Sequence, residues 1–135
     1  MMRSGEKDRG AAAVEFALVF PLVIMLLITI IEFSRLWNIE ATLSDGARVS
    51  ARYAAVHFND PDIVDLVGAA EDEARAIPGL FDWDTATIEI DPDCDGSGVV
   101  TSTISVLPGS MSEWFSTALG SPIELTATGR MPCGG

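Results

Sequence analysis

Few groups in this sequence could do chemistry. Glu15 stands alone among apolar residues between Ala11 and Ile31, Cys94 and Cys133 are the two cysteines, Asp91, Asp93 and Asp95 alternate, and His57 is the single histidine. A carboxylate within a membrane helix is costly and by default marks a function with a partner. Glu15 also lies close enough to the basic end of that stretch to snorkel toward water. The cysteines lack a metal-ligand spacing, and in an oxidising compartment they are expected to pair as a disulfide. The run Asp91-Pro92-Asp93-Cys94-Asp95-Gly96 matches the first half of a calcium loop, but its twelfth position is Ser102 and strands flank it. An acidic, solvated hairpin tip is therefore the preferred reading of Asp91, Asp93 and Asp95, with no metal or other cofactor. His57 falls at an expected helix end, where it meets the last carbonyls. With no Gly-x-Ser-x-Gly elbow, zinc signature or phosphate loop, an enzyme is not expected.

These groups are positioned by one dominant element. The stretch from Ala11 to Ile31 carries only the charge of Glu15, and as a helix it is about 30 Å long, one bilayer core. Arg3, Lys7 and Arg9 precede it, which places the N-terminus in the cytoplasm. A cleaved secretory signal fits less well, because the apolar run is long and closes on Ile30, Ile31, Glu32 and Phe33 rather than on small residues. Pro21 gives no N–H to the carbonyl of Ala17, so a weak point or kink is expected midway along the span.

The segment Arg9-Gly10-Ala11-Ala12-Ala13-Val14-Glu15-Phe16 resembles a class III prepilin cleavage site. With Pro21, with Ile31-Glu32-Phe33-Ser34-Arg35-Leu36-Trp37 and with Gly46-Ala47-Arg48-Val49-Ser50-Ala51-Arg52-Tyr53-Ala54, it resembles the TadE-like proteins of tight-adherence (Flp-type) pilus systems. The resemblance implies that a prepilin peptidase cuts after Gly10, leaving Ala11 as the new N-terminus with Glu15 at mature position five and Phe16 after it. Major pilins of these systems are much shorter and favour Glu-Tyr over Glu-Phe, so a minor pilin or pseudopilin fits better. Its implied partners are the peptidase, other pilins or pseudopilins, the membrane and the assembly platform.

Beyond the span, Phe33, Leu36, Trp37, Ala47, Ala51, Ala54 and Ala55 form one helical stripe opposite Arg35, Asn38, Thr42 and Asp45. The alanines suit close approach of another helix, while Val49, Tyr53 and Val56 form a second row available to hold a sheet. Glu40 interrupts the first stripe. Asp60-Pro61 reads as the start of a second helix, with Ile63, Val67, Ala70, Ala74 and Ile77 on its inner side and Pro78-Gly79 ending it. Alternation at Ala86, Ile88 and Ile90, at Val100, Ile104 and Val106, and at Ile123, Leu125, Ala127 and Met131 predicts three strands. Ser110 with Glu113 reads as a capping box for a short helix near Trp114 and Phe115.

The expected fold is α+β: a long N-terminal transmembrane and amphipathic helix, then a small helix plus an antiparallel three-stranded sheet. Residues 1–10 form a cytoplasmic leader, 11–57 the helix (span 11–31, extension 32–57) and 58–135 an acidic domain outside the cytoplasm. Of 20 Asp and Glu residues in this chain of net charge -12, fourteen lie from Phe58 onward, against only Arg75 and Arg130. Such a surface repels nucleic acid. The expected function is a structural subunit of pilus assembly, seated in the cytoplasmic membrane or carried into the extracellular pilus. The rival is an uncleaved, membrane-anchored binding module.

Overall fold

The computed structural model describes residues 5–109, 117, 120 and 123–134. Helix α1 runs from Gly5 to His57 and α2 from Leu66 to Arg75. A 3-10 turn, Trp83–Thr85, leads into β1 (Thr87–Asp93), followed by β2 (Val99–Val106) and β3 (Leu125–Pro132). The strands form an antiparallel sheet in the order β1-β2-β3. This is the α+β architecture expected, although the predicted helix near Ser110 and Glu113 lies outside the described residues. The chain divides into two compact units, Met1–Ser34 and Arg35–Gly135.

In the second unit, the inner side of α1 from Ile39 to Ala55 is a run of small and aliphatic residues. Ile39, Leu43, Ala47, Ser50, Ala51 and Ala54 are fully buried. Their core partners are Ile104, Val106 and Ala127 at one end and Ile90 and Val100 at the other, with Ala70 and Ala74 of α2 alongside. Two layers result, helices over one face of the sheet. The sheet thus sits on the alanine stripe and not on Val49, Tyr53 and Val56, the row that was also available to hold it. Val49 and Val56 are exposed and Tyr53 is half-buried.

The reason is steric. A Cβ on Gly129 of β3 would collide with the Ala47 carbonyl and the Arg48 amide, so helix backbone and strand backbone are in contact there. Alanine and glycine permit that approach; valine and tyrosine do not. The stripe's other end differs as well: Phe33 and Trp37 are exposed, and so is Glu40, which removes any burial penalty for its charge. Gly46 serves the same packing, because a side chain there would meet Trp83 Cη2 at 2.9 Å and Ile104 Cδ1 at 3.2 Å. Trp83 is fixed over that glycine by donating its indole N–H to the Ile77 carbonyl at 2.7 Å, while Arg75 donates to the Trp83 carbonyl at 2.8 Å.

Helix α2 begins later than predicted. Asp65 is its cap, accepting the Gly68 amide at 2.9 Å, whereas Asp60 accepts the Asp62 amide at 3.1 Å and closes a turn. An aspartate engaged in such a local turn competes with helix initiation. The helix ends at Arg75, and Ile77 lies in the following turn. Ala86 and Ile123 fall just outside the strands they were predicted to join.

Midway along the contact, the Ser50 and Ser102 hydroxyls lie 2.8 Å apart, both fully buried. Ser50 also donates to the Gly46 carbonyl at 2.8 Å. A serine has one hydroxyl proton, so Ser102 donates to Ser50. Ser50→Ala is therefore expected to cost about 1–3 kcal/mol by stranding the Ser102 hydroxyl, with Ser102→Ala milder because Ser50 keeps its carbonyl. The double alanine variant should recover part of the loss. Urea unfolding of the wild type and the three variants measures the coupling, and strict additivity would refute this account.

Candidate functional site

The first unit is the N-terminal part of α1. Every residue from Gly10 to Leu27 is exposed, including Val14, Phe16, Leu18 and Leu22. An apolar surface of this length needs lipid or other apolar helices around it. The helix is long and apolar enough to cross a membrane once.

Gly10, Ala11, Glu15, Phe16 and Pro21 all lie within this helix. Ala11 and Glu15 are one turn apart on a common face, roughly 6 Å along the axis. Phe16 stacks on Phe20 with ring centroids 5.3 Å apart. A Cβ at Gly10 would touch nothing within 4 Å, so packing does not demand glycine there. Pro21 is accommodated without interrupting the helix.

At the other end of the molecule's second unit, Cys94 and Cys133 form a disulfide with Cα atoms 5.7 Å apart. It joins the β1–β2 turn to the residue after β3. The Cys133 amide donates to Gly98 and the Gly134 amide to Ala55, at 3.0 and 3.3 Å, so the chain's last turn is tied both to the hairpin and to the end of α1. There His57 lies 2.9 Å through Nδ1 from the Tyr53 carbonyl. A carbonyl only accepts, so Nδ1 carries the proton.

The three aspartates do not share a task. Asp91 is exposed on the outer side of β1 and Asp95 at the hairpin tip. Asp93 instead holds the turn: its carboxylate accepts the Ser97 amide at 2.9 Å and the Gly96 amide at 3.1 Å. Its main-chain carbonyl accepts the Gly98 amide at 2.9 Å. Gly98 has φ 71°, a conformation natural to glycine. Among the described residues no group of three His, Cys, Asp or Glu is placed to hold a metal ion.

The Ser97 amide, with the Ser97 hydroxyl and the Gly96 amide adding to it against slight desolvation, holds the Asp93 carboxyl below its ordinary value of 3.8.

Sequence reasoning missed Gly46, Ser50, Ser102 and Gly129 as the residues that set the helix-to-sheet distance. The visible signal was Ser102, a polar residue at an inward position between Val100 and Ile104.

One helix long and apolar enough to serve as a single-pass membrane anchor, in a chain that also forms a disulfide-closed, helix-on-sheet unit, is the arrangement to be compared with known proteins. Residues 10–52 match the model of the family described as TadE-like protein. The match covers the segment on which the sequence resemblance to TadE-like proteins rests. No curated protein and no solved structure matches the chain.

Two outcomes test the hairpin. Reduction of the disulfide is expected to cost about 4 kcal/mol, the loop-entropy value for a closure of this length; denaturant midpoints with and without reductant measure it. Asp93 has a lower pKa folded than unfolded, so its contribution to the turn is complete above the unfolded value and is lost as pH falls through the folded one. Carboxyl NMR titration should find its midpoint below those of exposed aspartates, and a midpoint at or above theirs would contradict the turn geometry.

Proposed function

We propose that the chain is a structural subunit of a tight-adherence (Flp-type) pilus assembly, a TadE-like pseudopilin. In this reading a prepilin peptidase cuts after Gly10. The N-terminus lies on the cytoplasmic side of the cytoplasmic membrane, and the acidic domain lies outside. The observation that carries the reading is that the family match begins at Gly10, the residue that precedes the apolar stretch and stands five before Glu15.

Physical chemistry supplies the steps. A peptidase needs an extended backbone at the bond it cuts, and glycine is about 1 kcal/mol less favourable than alanine in a helix. Gly10 thus eases local unwinding next to Ala11. After cleavage Ala11 bears an ammonium beside helix N–H groups that lack partners. Glu15 offers the opposite charge on the same face. In a cluster of such helices, the ammonium of one subunit and Glu15 of its neighbour penalise any stagger that leaves either charge alone in an apolar setting. Register, more than affinity, is the expected result. The weak point at Pro21 eases bending as a subunit leaves the bilayer.

Mass measurement of the mature N-terminus in cells with an active prepilin peptidase is the deciding experiment. A chain beginning at Ala11 is expected; persistence of Met1 or Met2 would favour the uncleaved binding module instead. Glu15→Ala should leave insertion and cleavage intact while lowering incorporation into the assembly roughly tenfold or more. Undiminished incorporation of that variant counts against the register role.

A further inference from the structure

In the second unit α1 presents two arginines to solvent and β1 presents two carboxylates. On α1, Arg48 and Arg52 are exposed, and neither makes an ion pair among the described residues. Other arginines of the unit are engaged: Arg35 donates to the Gly109 carbonyl at 2.6 Å, and Arg75 binds Trp83. Beside Arg52 runs an open groove of about 330 Å³, lined by Val49, Arg52, Tyr53, Val56, His57 and Glu73. On the far face of the sheet, Glu89 and Asp91 are exposed on the edge strand β1, in cross-strand rows with Thr103 and Thr128 and with Thr101 and Arg130.

We propose that the outer face of α1 at Arg48 and Arg52 docks onto the outer face of β1 at Glu89 and Asp91 of a second copy of this chain. The spacing suits it. Arginines four apart on a helix are separated by about 6 Å along its axis, and alternate residues on a strand by about 6.7 Å. The two patches face opposite ways, with helix and sheet between them, so a molecule cannot pair them within itself. Each copy keeps one patch free after docking. The contact is heterologous and continues from copy to copy, as an assembly subunit requires. Asp45 and Glu73 border the arginines on the helix side and Arg130 borders the carboxylates on the sheet side, so the attraction is local, between Arg48 and Arg52 and the carboxylates of Glu89 and Asp91. Val49 and Val56 supply apolar surface beside Arg52. The inference deepens the pilus-subunit reading and rests on it for its setting, while the contact itself is testable on the chain alone.

The test uses the full chain in phosphatidylcholine vesicles, labelled separately with donor and acceptor dyes. Energy transfer should fall as salt is raised. Arg48→Glu/Arg52→Glu and Glu89→Arg/Asp91→Arg should each weaken association about tenfold or more, since like charges then meet. An equal mixture of the two variants should recover association, because each supplies the charge the other now needs. All four residues are exposed, and disulfide formation reports that the variants fold. Either variant associating like the wild type, or a mixture no better than its components, overturns the proposal. The mature N-terminus is read independently, so failure of this contact and failure of the pilus reading are distinguished.

Discussion

The fold of the second unit depends on how closely α1 lies against the sheet. Backbone contact between Ala47 and Gly129 sets that distance, and the other inner residues are chosen to match it. Ser50 and Ser102 bond across the same narrow gap. Where the gap widens, Ile39 and Leu43 take over from the alanines, meeting Ile104, Val106 and Ala127. A core of this kind gains little from large side chains and much from the absence of voids. Its specificity is correspondingly sharp, since one methyl group at Gly129 has nowhere to go.

Because such a core is small, covalent and local polar devices carry a large share of the order at its far end. The disulfide restrains the β1–β2 turn and the chain end together. Asp93 holds the same turn from within, and Gly134 connects it to α1 at Ala55. A domain of this size buries a modest fraction of its surface, so ends that lack apolar cover need such ties. The acidity of the hairpin then has a structural component: Asp93 belongs to the turn, while Asp91 and Asp95 are exposed.

Periodicity made the architecture legible. The apolar run of α1, the alternation of the three strands and the small helix between them all correspond to elements of the structure. What periodicity could not decide was which of two rows on α1 faces inward. The row with Val49, Tyr53 and Val56 is more hydrophobic, and on apolarity alone it wins. The alanine row prevails because the sheet approaches to backbone contact, and that depends on Gly129, some eighty residues away in sequence. The start of α2 failed for a local reason. Asp60 and Asp65 both offer a capping carboxylate, and only the turn geometry at Asp62 shows which one is already used. At the segment proposed for processing the reverse holds: Gly10, Ala11 and Glu15 stand out by their spacing, and the helix adds that Ala11 and Glu15 share a face.

An open three-stranded sheet also raises the question of how copies can meet without uncontrolled pairing. Among the described residues both outer strands, β1 and β3, pair on one side only, and an unpaired edge is one that other strands can extend. Here β1 carries Glu89 and Asp91 and contains Pro92, while β3 ends at Pro132. Proline has no N–H to offer a new strand, and its place in β1 is compatible only with an edge. Like charges along β1 would oppose each other if two such edges were aligned. Pairing through these edges is therefore disfavoured, which leaves the exposed arginines of α1 and the carboxylates of β1 for the contact proposed between copies of the domain.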